Sequence, residues 1–170
     1  SNDASRFPDN AGQFALLEFK EVGANDGAWW NGGRSINTTK VQWVPSADLG
    51  ATLDSYAVKF EVFVKEKWNT GTILVMKDYN WTYVARYAPW KVGDKTIDFS
   101  NDSWQTVTIP LSEFRTKENG IDGSGASAAS LQTLVGDGLG SMHFFFVNDG
   151  SGAIPTMAIG VDNIRIVKIK

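Results

Sequence analysis

Residues 56–64 carry a large apolar side chain at every second position, and this is the clearest structural signal in the sequence. The residues of one parity are Tyr56, Val58, Phe60, Val62 and Val64. A period of two places successive side chains on opposite faces of an extended chain. The segment is therefore predicted to be a β-strand with one face in a hydrophobic core, and a helix there would scatter its apolar side chains around the axis.

Strand signals recur along the chain, whereas helix signals are few. Further strands are predicted at residues 14–20, 37–44, 72–77, 81–87, 104–109, 142–147 and 157–167. The turn formed by residues 68–71 predicts a hairpin between the strands at 56–64 and 72–77. Only residues 111–114 and 128–135 favour helical turns. About eight short strands with turn signals between them predict an all-β fold, an antiparallel β-sandwich of the jelly-roll kind.

The length of 170 residues corresponds to one domain. Residues 1–12 open with a polar stretch and are expected to be a linker or residues left over from expression, so the domain is assigned to residues 13–170. The last predicted strand runs nearly to the final residue. We therefore expect the domain to close with that strand.

Composition excludes several classes of function. The chain has 16 basic and 19 acidic residues, and this balance argues against a nucleic-acid partner, which requires a basic surface. Cysteine is absent, which excludes disulfides, thiolate zinc sites and cysteine nucleophiles. His143 is the single histidine, so a three-histidine metal site cannot form. No apolar run approaches the roughly 20 residues of a membrane-spanning helix. We therefore expect no membrane insertion by this domain, and we expect a monomer.

Aromatic residues are the unusual feature, with 7 Trp, 4 Tyr and 10 Phe. Trp29 and Trp30 are adjacent in the polar, glycine- and asparagine-rich stretch 25–33, which is predicted to be a loop. Both indoles cannot easily reach the core from such a loop. We expect at least one to lie in a binding site, and the sequence leaves open which of the two faces solvent.

Trp81, Tyr83 and Tyr87 share one parity of a predicted strand. In one interpretation these three rings form the core face of the strand. In the other, the smaller side chains between them lie in the core and the aromatic rings face outward. Trp90, in the following loop, would extend the same surface.

Exposed aromatic rings beside amide and guanidinium groups suit the recognition of sugars. The face of Trp or Tyr matches the polarised C–H groups of a pyranose ring, and polar side chains at the edge match its hydroxyl groups. The polar candidates beside the aromatic residues are Asn31, Arg34, Lys77, Asn80, Arg86 and Asn148.

Several segments in a fixed order resemble one known family. These segments are Trp30-Asn31-Gly32-Gly33, residues 59–64 followed by 68–71, and residues 83–90, 102–114, 144–148 and 161–165. Together they resemble the C-terminal glycan-binding domain of surface glycan-binding proteins from bacterial polysaccharide utilisation systems. The resemblance is to the xyloglucan-binding-domain type, within the broader class of carbohydrate-binding modules. The resemblance covers nearly the whole chain.

This resemblance implies a non-catalytic β-sandwich that belongs to an outer-membrane lipoprotein at the cell surface. It also implies immunoglobulin-like domains on its N-terminal side. The implied ligand is a β-linked plant polysaccharide such as xyloglucan, mannan or another β-glucan, held on an aromatic platform. The platform role carries over to Trp30, and more loosely to Trp81, Tyr83 and Trp90.

Two other functions compete with glycan binding. A jelly-roll glycosidase would need two carboxyl groups about 5 Å apart if retaining, or further apart if inverting. Glu61, Glu18 and Glu113 are the candidates, but no motif surrounds them. A purely structural or protein-binding sandwich is the other alternative, and it predicts no response to any glycan.

A structural calcium ion is a minor expectation, and no other cofactor is expected. Glu18 and Asp162 lie on the first and last predicted strands, where related sandwiches often hold such an ion. Calcium takes 6–8 oxygen ligands, and these two carboxylates are the only ones that the sequence nominates.

Overall fold

Two antiparallel β-sheets pack face to face in the computed structural model. It describes residues 12–22, 34–66, 68, 71–78, 80–94, 96–99, 102–148 and 152–170. The strands of these described residues are, in chain order, β1 (Ala15–Val22), β2 (Arg34–Asn37), β3 (Val41–Gln42), β4 (Tyr56–Val64), β5 (Thr72–Met76), β6 (Val84–Tyr87), β7 (Gln105–Pro110), β8 (Phe114–Arg115), β9 (Leu139–Gly140), β10 (His143–Val147) and β11 (Ile154–Lys168). One short helix, α1 (Leu131–Val135), precedes β9. The predicted all-β antiparallel sandwich is confirmed.

The first sheet has the strand order β1-β11-β4-β7, and the second has the order β2-β10-β5-β6-β8. Strands β3 and β9 form a separate ribbon. Each pair of neighbours in the two main sheets is antiparallel. The strand β11 lies in the middle of the first sheet, between β1 and β4.

The core lies between the two sheets and is built by their alternating inner faces. Val58, Phe60 and Val62 of β4 are fully buried, as predicted from their period of two. Phe60 meets Phe144 of β10 from the facing sheet, with ring centroids 5.1 Å apart and the planes at 74°. Such edge-to-face pairs add to the free energy gained by removing each ring from water.

Trp68 fills one end of the core. It is fully buried, and its ring centroid lies 6.0 Å from that of Trp90 and 5.8 Å from that of Phe99. Gly71 makes this packing feasible, because a Cβ atom at that position would lie 2.0 Å from the Trp68 ring. The backbone carbonyl of Gly71 also accepts a hydrogen bond of 2.8 Å from Trp90 Nε1.

The hairpin predicted between residues 56–64 and 72–77 is not formed, because β4 belongs to the first sheet and β5 to the second. The structure also corrects the bounds of two predicted strands. The segment 37–44 is divided between β2 and β3, which belong to different sheets. Within the segment 81–87, only Val84–Tyr87 form a strand, which is β6. Trp81 has a backbone φ of 56°, in the left-handed region, and so cannot continue a strand. Within the described part of the chain, no helix is long and apolar enough to cross a membrane.

Candidate functional site

The outer face of the second sheet carries an apolar cluster that is separate from the core. Register defines this face, since Phe145 of β10 lies opposite Leu74 of β5, which in turn lies opposite Arg86 of β6. The buried members of the cluster are Leu74, Met76, Val84 and Val147, and Trp81 and Phe145 pack against them. No second sheet covers this face among the described residues, so its aromatic rings are candidates for ligand contact.

Trp81 and Phe145 form the partly exposed surface of this cluster, which we call the aromatic surface. Their ring centroids are 5.5 Å apart and their planes are inclined by 39°. The turn before Trp81 is held by Asp78, whose Oδ1 accepts a hydrogen bond of 2.9 Å from the backbone N–H of Asn80. The left-handed backbone of Trp81 then directs its indole onto Phe145.

Arg86 lies exposed at the rim of the same face. Its Nη1 donates a hydrogen bond of 3.2 Å to the backbone carbonyl of Asp122. This contact orients a guanidinium group, which carries five N–H donors in a fixed plane. Such a group at the edge of an aromatic surface suits the recognition of hydroxyl groups.

Tyr87 of β6, and Tyr83 just before this strand, pack against the core. The ring of Tyr87 meets that of Trp90 edge-on, with centroids 5.8 Å apart. Burial, with a smaller contribution from the charge of Asp94, raises the pKa of Tyr87 to about 12. The predicted grouping of Trp81 with these two tyrosines is therefore not observed, because the turn at Trp81 breaks the alternation.

Two further candidates are buried rather than exposed. Trp90 is only 7% exposed, and its rings pack on Trp68 and Phe99. A ring in that position has no open face for a sugar, which removes Trp90 from the candidate surface. Asn148 is 1% exposed and donates a hydrogen bond of 3.0 Å to the Gly152 carbonyl, so its side chain serves the local backbone.

Three candidates, Trp29, Trp30 and Asn31, lie outside the described residues. Arg34 is the first residue of β2. This strand is the edge strand next to β10, so the chain enters the second sheet directly after the three candidates. Lys77 and Asn80 belong to the turn that leads to Trp81.

His143 is buried on the same outer face, two residues before Phe145 in β10. Its Nδ1 is 2.6 Å from Asn37 Oδ1, and its Nε2 is 3.1 Å from Ser141 Oγ. With the Asn37 oxygen as acceptor, Nδ1 carries the proton and Nε2 accepts from the hydroxyl group. Burial lowers the pKa of His143, and the charge of Asp78 opposes this shift in part.

A cleft of about 580 Å³ opens where β5 ends and β10 begins. Its lining residues are Lys40, Lys77, Asp78, Thr133, Val135, Gly136, Asp137, Leu139, Gly140 and Ser141. We refer to it as the polar cleft. Two ion pairs line it, Lys77 with Asp78 at 3.2 Å and Lys40 with Asp137 at 3.6 Å.

The carboxylates considered for catalysis or calcium lie elsewhere. Glu61 is on the outer face of the first sheet, where it accepts hydrogen bonds from Thr106 at 2.6 Å and Arg165 at 3.0 Å. Glu18 lies opposite Ala158, four residues from Asp162 on β11. That spacing separates the two backbone positions by about 13 Å along the strand, which is too far for both side chains to bind one ion. Among the described residues no group of three or more His, Cys, Asp or Glu side chains could hold a metal.

Comparison with known families identifies a match over nearly the entire chain. Residues 2–168 match the family described as the surface glycan-binding protein B xyloglucan-binding domain. No curated protein matches the sequence.

Solved structures share the fold at low sequence identity. The surface glycan-binding protein PbSGBP-B from Prevotella bryantii has 18% identity and a TM-score of 0.62, with 94% of this chain and 48% of that chain covered. SGBP-B from a complex xyloglucan utilization locus in Bacteroides uniformis has 19% identity and a TM-score of 0.57, with 95% and 48% covered. A third structure, solved with a xylogluco-oligosaccharide, has 21% identity and a TM-score of 0.59, with 93% and 32% covered. The chain thus spans about half the length of the first two solved chains and about a third of the length of the third.

Proposed function

The chain belongs to the surface glycan-binding protein B xyloglucan-binding domain family, and on this premise we propose that it binds xyloglucan on the outer face of its second sheet. The family is one of carbohydrate-binding domains rather than enzymes. The bound polysaccharide lies across Trp81 and Phe145, with Arg86 at the rim. Binding captures the glycan without cleaving it.

One observation carries this proposal, the partly exposed indole of Trp81 supported from beneath by Phe145. A pyranose ring that stacks on an indole removes apolar area from water and places its C–H groups over the electron-rich face. The apolar cluster beneath the indole keeps it from sinking into the protein. Exposed Asn80 and Arg86 add polar groups beside it.

Trp29, Trp30, Asn31 and Arg34 remain proposed ligand contacts. They precede or begin β2, the edge strand of the sheet that carries the aromatic surface. A glycan chain that crosses β5 and β10 toward this edge would reach β2, which these residues precede or begin in the sequence. Tyr83 and Tyr87 contribute indirectly, because they hold β6 against the core.

We further propose that the domain acts at the bacterial cell surface as part of a longer lipoprotein with additional N-terminal domains. Chains of the solved family members extend well beyond the part that this chain matches. The domain itself acts as a monomer, and light scattering of the purified protein measures its mass directly. Mannan and other β-glucans are the alternative ligands within the same mode of binding.

The test is titration calorimetry, supported by affinity gel electrophoresis, with xyloglucan, glucomannan, galactomannan, xylan and mixed-linkage β-glucan. An open surface leaves one side of the ligand in water, so the expected Kd for xyloglucan lies between about 1 μM and 1 mM. Trp81→Ala should weaken binding at least about thirtyfold if Trp81 is a central contact.

The matched control is Trp104→Ala. Trp104 is also partly buried and packs on an outer face, but on that of the first sheet, beside Phe14 and Phe63. Its removal should leave glycan binding unchanged. Failure of the wild-type protein to bind any of the five glycans would refute the proposed function, and equal losses in both variants would refute the location of the site.

A further inference from the structure

We propose that the polar cleft is a second subsite, which holds an uncharged glycosyl branch of the polysaccharide whose backbone lies on the aromatic surface. This inference rests on the proposed function. It adds a determinant of specificity for branched over unbranched chains.

The cleft and the aromatic surface share one turn. Lys77 and Asp78 follow directly after Met76, a member of the outer-face cluster, and the same turn then presents Trp81. Just before the neighbouring strand β10, Ser141 lines the cleft and is hydrogen-bonded to the His143 side chain. A substituent on a glycan that stacks on Trp81 can therefore enter the cleft without leaving the sheet face.

The lining of the cleft suits a sugar. Carboxylates accept hydrogen bonds from hydroxyl groups and ammonium groups donate them, so the two Lys–Asp pairs offer both functions. Leu139, which is partly exposed, adds apolar surface for the C–H groups. The Lys40–Asp137 pair is loose, with side chains 63% and 64% exposed, so a hydroxyl group can replace part of the contact at little cost.

Charge selects the kind of sugar. Two lysines and two aspartates line the cleft, so their formal charges cancel. His143, which is hydrogen-bonded to the lining residue Ser141, has its pKa lowered by burial and adds no charge at neutral pH. A uronic acid or a phosphate would gain no net attraction and would face two carboxylates. An uncharged glycosyl unit is the ligand that this lining favours.

The cleft is also large enough. Its volume of about 580 Å³ falls within the range of roughly 300–1,000 Å³ that ligand sites occupy. Gly136 contributes no side chain, and a Cβ atom placed on it would meet nothing within 4 Å. The space above that backbone is therefore open to a ligand.

The experiment compares two ligands with the same backbone, cellohexaose and a xyloglucan oligosaccharide that carries branches. Titration calorimetry is performed on the wild-type protein, on the double variant Lys40→Ala/Lys77→Ala, and on Asp137→Asn. The last variant retains an oxygen for the backbone N–H of Leu139, which donates to Asp137 at 3.0 Å. We expect the wild type to prefer the branched ligand, and we expect the cleft variants to lose about tenfold in that preference.

The matched control is Lys168→Ala, which removes one lysine from an exposed pair with Asp48 at 3.1 Å, away from the cleft. It should leave the preference unchanged. Equal affinity of the wild type for both ligands, or a preference that survives in both cleft variants, would overturn the subsite. Loss of binding to both ligands in Trp81→Ala would still support the aromatic surface, so the two proposals fail separately.

Discussion

The indole of Trp81 rests on the ring of Phe145, with centroids 5.5 Å apart and planes inclined by 39°. The two residues come from different parts of the sequence and meet on the outer face of the second sheet. Phe145 is held in β10 between β2 and β5, whereas Trp81 reaches it from a turn. The Trp81 indole, positioned by the turn, is thus supported by a ring held in the strand β10.

Removal of this support should weaken glycan binding. In Phe145→Ala the Trp81 indole loses the ring beneath it, and we expect about tenfold weaker binding of xyloglucan by calorimetry. Phe14→Ala is the control, because Phe14 stands against Trp104 on the first sheet with centroids 5.4 Å apart. A folded Phe145→Ala protein with unchanged affinity would show that Trp81 needs no support or does not bind the sugar.

Tyr87 should be dispensable for binding, because its ring faces the core and not the outer face. Tyr87→Phe is expected to bind xyloglucan as tightly as the wild type. Alkaline titration followed by tyrosinate absorbance should show one phenol with a pKa of about 12 in the wild type and should lose that step in the variant. A large loss of affinity in Tyr87→Phe would place this residue at the ligand.

Gly71→Ala should destabilise the fold. The added Cβ atom would lie 2.0 Å from the Trp68 ring, which is fully buried and has no room to retreat. Overpacking of this kind typically costs about 1–3 kcal/mol of unfolding free energy. Urea denaturation measures the loss.

Gly50→Ala is the matched substitution for that experiment, since a Cβ atom at Gly50 meets nothing within 4 Å. It should change the stability little. Similar losses in the two variants would mean that the loss reflects glycine replacement in general and not contact with Trp68.

His143 should make stability depend on pH near neutrality. Its pKa is lowered in the folded protein by burial, while the unfolded chain has a value of about 6.5. The unfolded state therefore binds the proton first, and the stabilisation present above pH 6.5 is lost as the pH falls through the folded pKa. Asp48, Asp54, Asp94 and Asp137, whose pKa values are lowered below the ordinary aspartate value, titrate at more acidic pH and do not contribute to this window.

The measurement is urea unfolding at several pH values between 5 and 7.5. The unfolding free energy of the wild type should decline toward pH 5, and the slope should flatten in His143→Gln. An identical slope in the two proteins would assign the pH dependence to other groups.

Period-two alternation predicted the strands that have one buried face. β4 has the bounds that the alternation indicates, and its even-numbered apolar residues lie in the core. The prediction fails at Trp81, because a local left-handed backbone reverses the direction in which the side chain points. Alternation alone carries no information about such a turn.

The candidate site was only partly predictable. Periodicity does not single out Phe145, because residues 144–147 are apolar at both parities and the core needs only one of them. Apolar residues at both parities nevertheless indicate an apolar outer face, since a strand in a two-layer sandwich has one face outside the core. The prediction that Trp90 belongs to the binding surface is wrong. Its loop position next to Pro89 gives no indication that its indole reaches the buried carbonyl of Gly71.

The turn at Trp81 has a consequence for the thermodynamics of association. Asp78, a left-handed backbone and the ring of Phe145 together restrict the indole before any ligand arrives. The entropic cost of ordering is then borne mainly by the polysaccharide, whose glycosidic torsions become fixed on the surface. A stiff or branched glycan loses less torsional freedom than a flexible one, so the protein gains selectivity for stiffness without an additional contact.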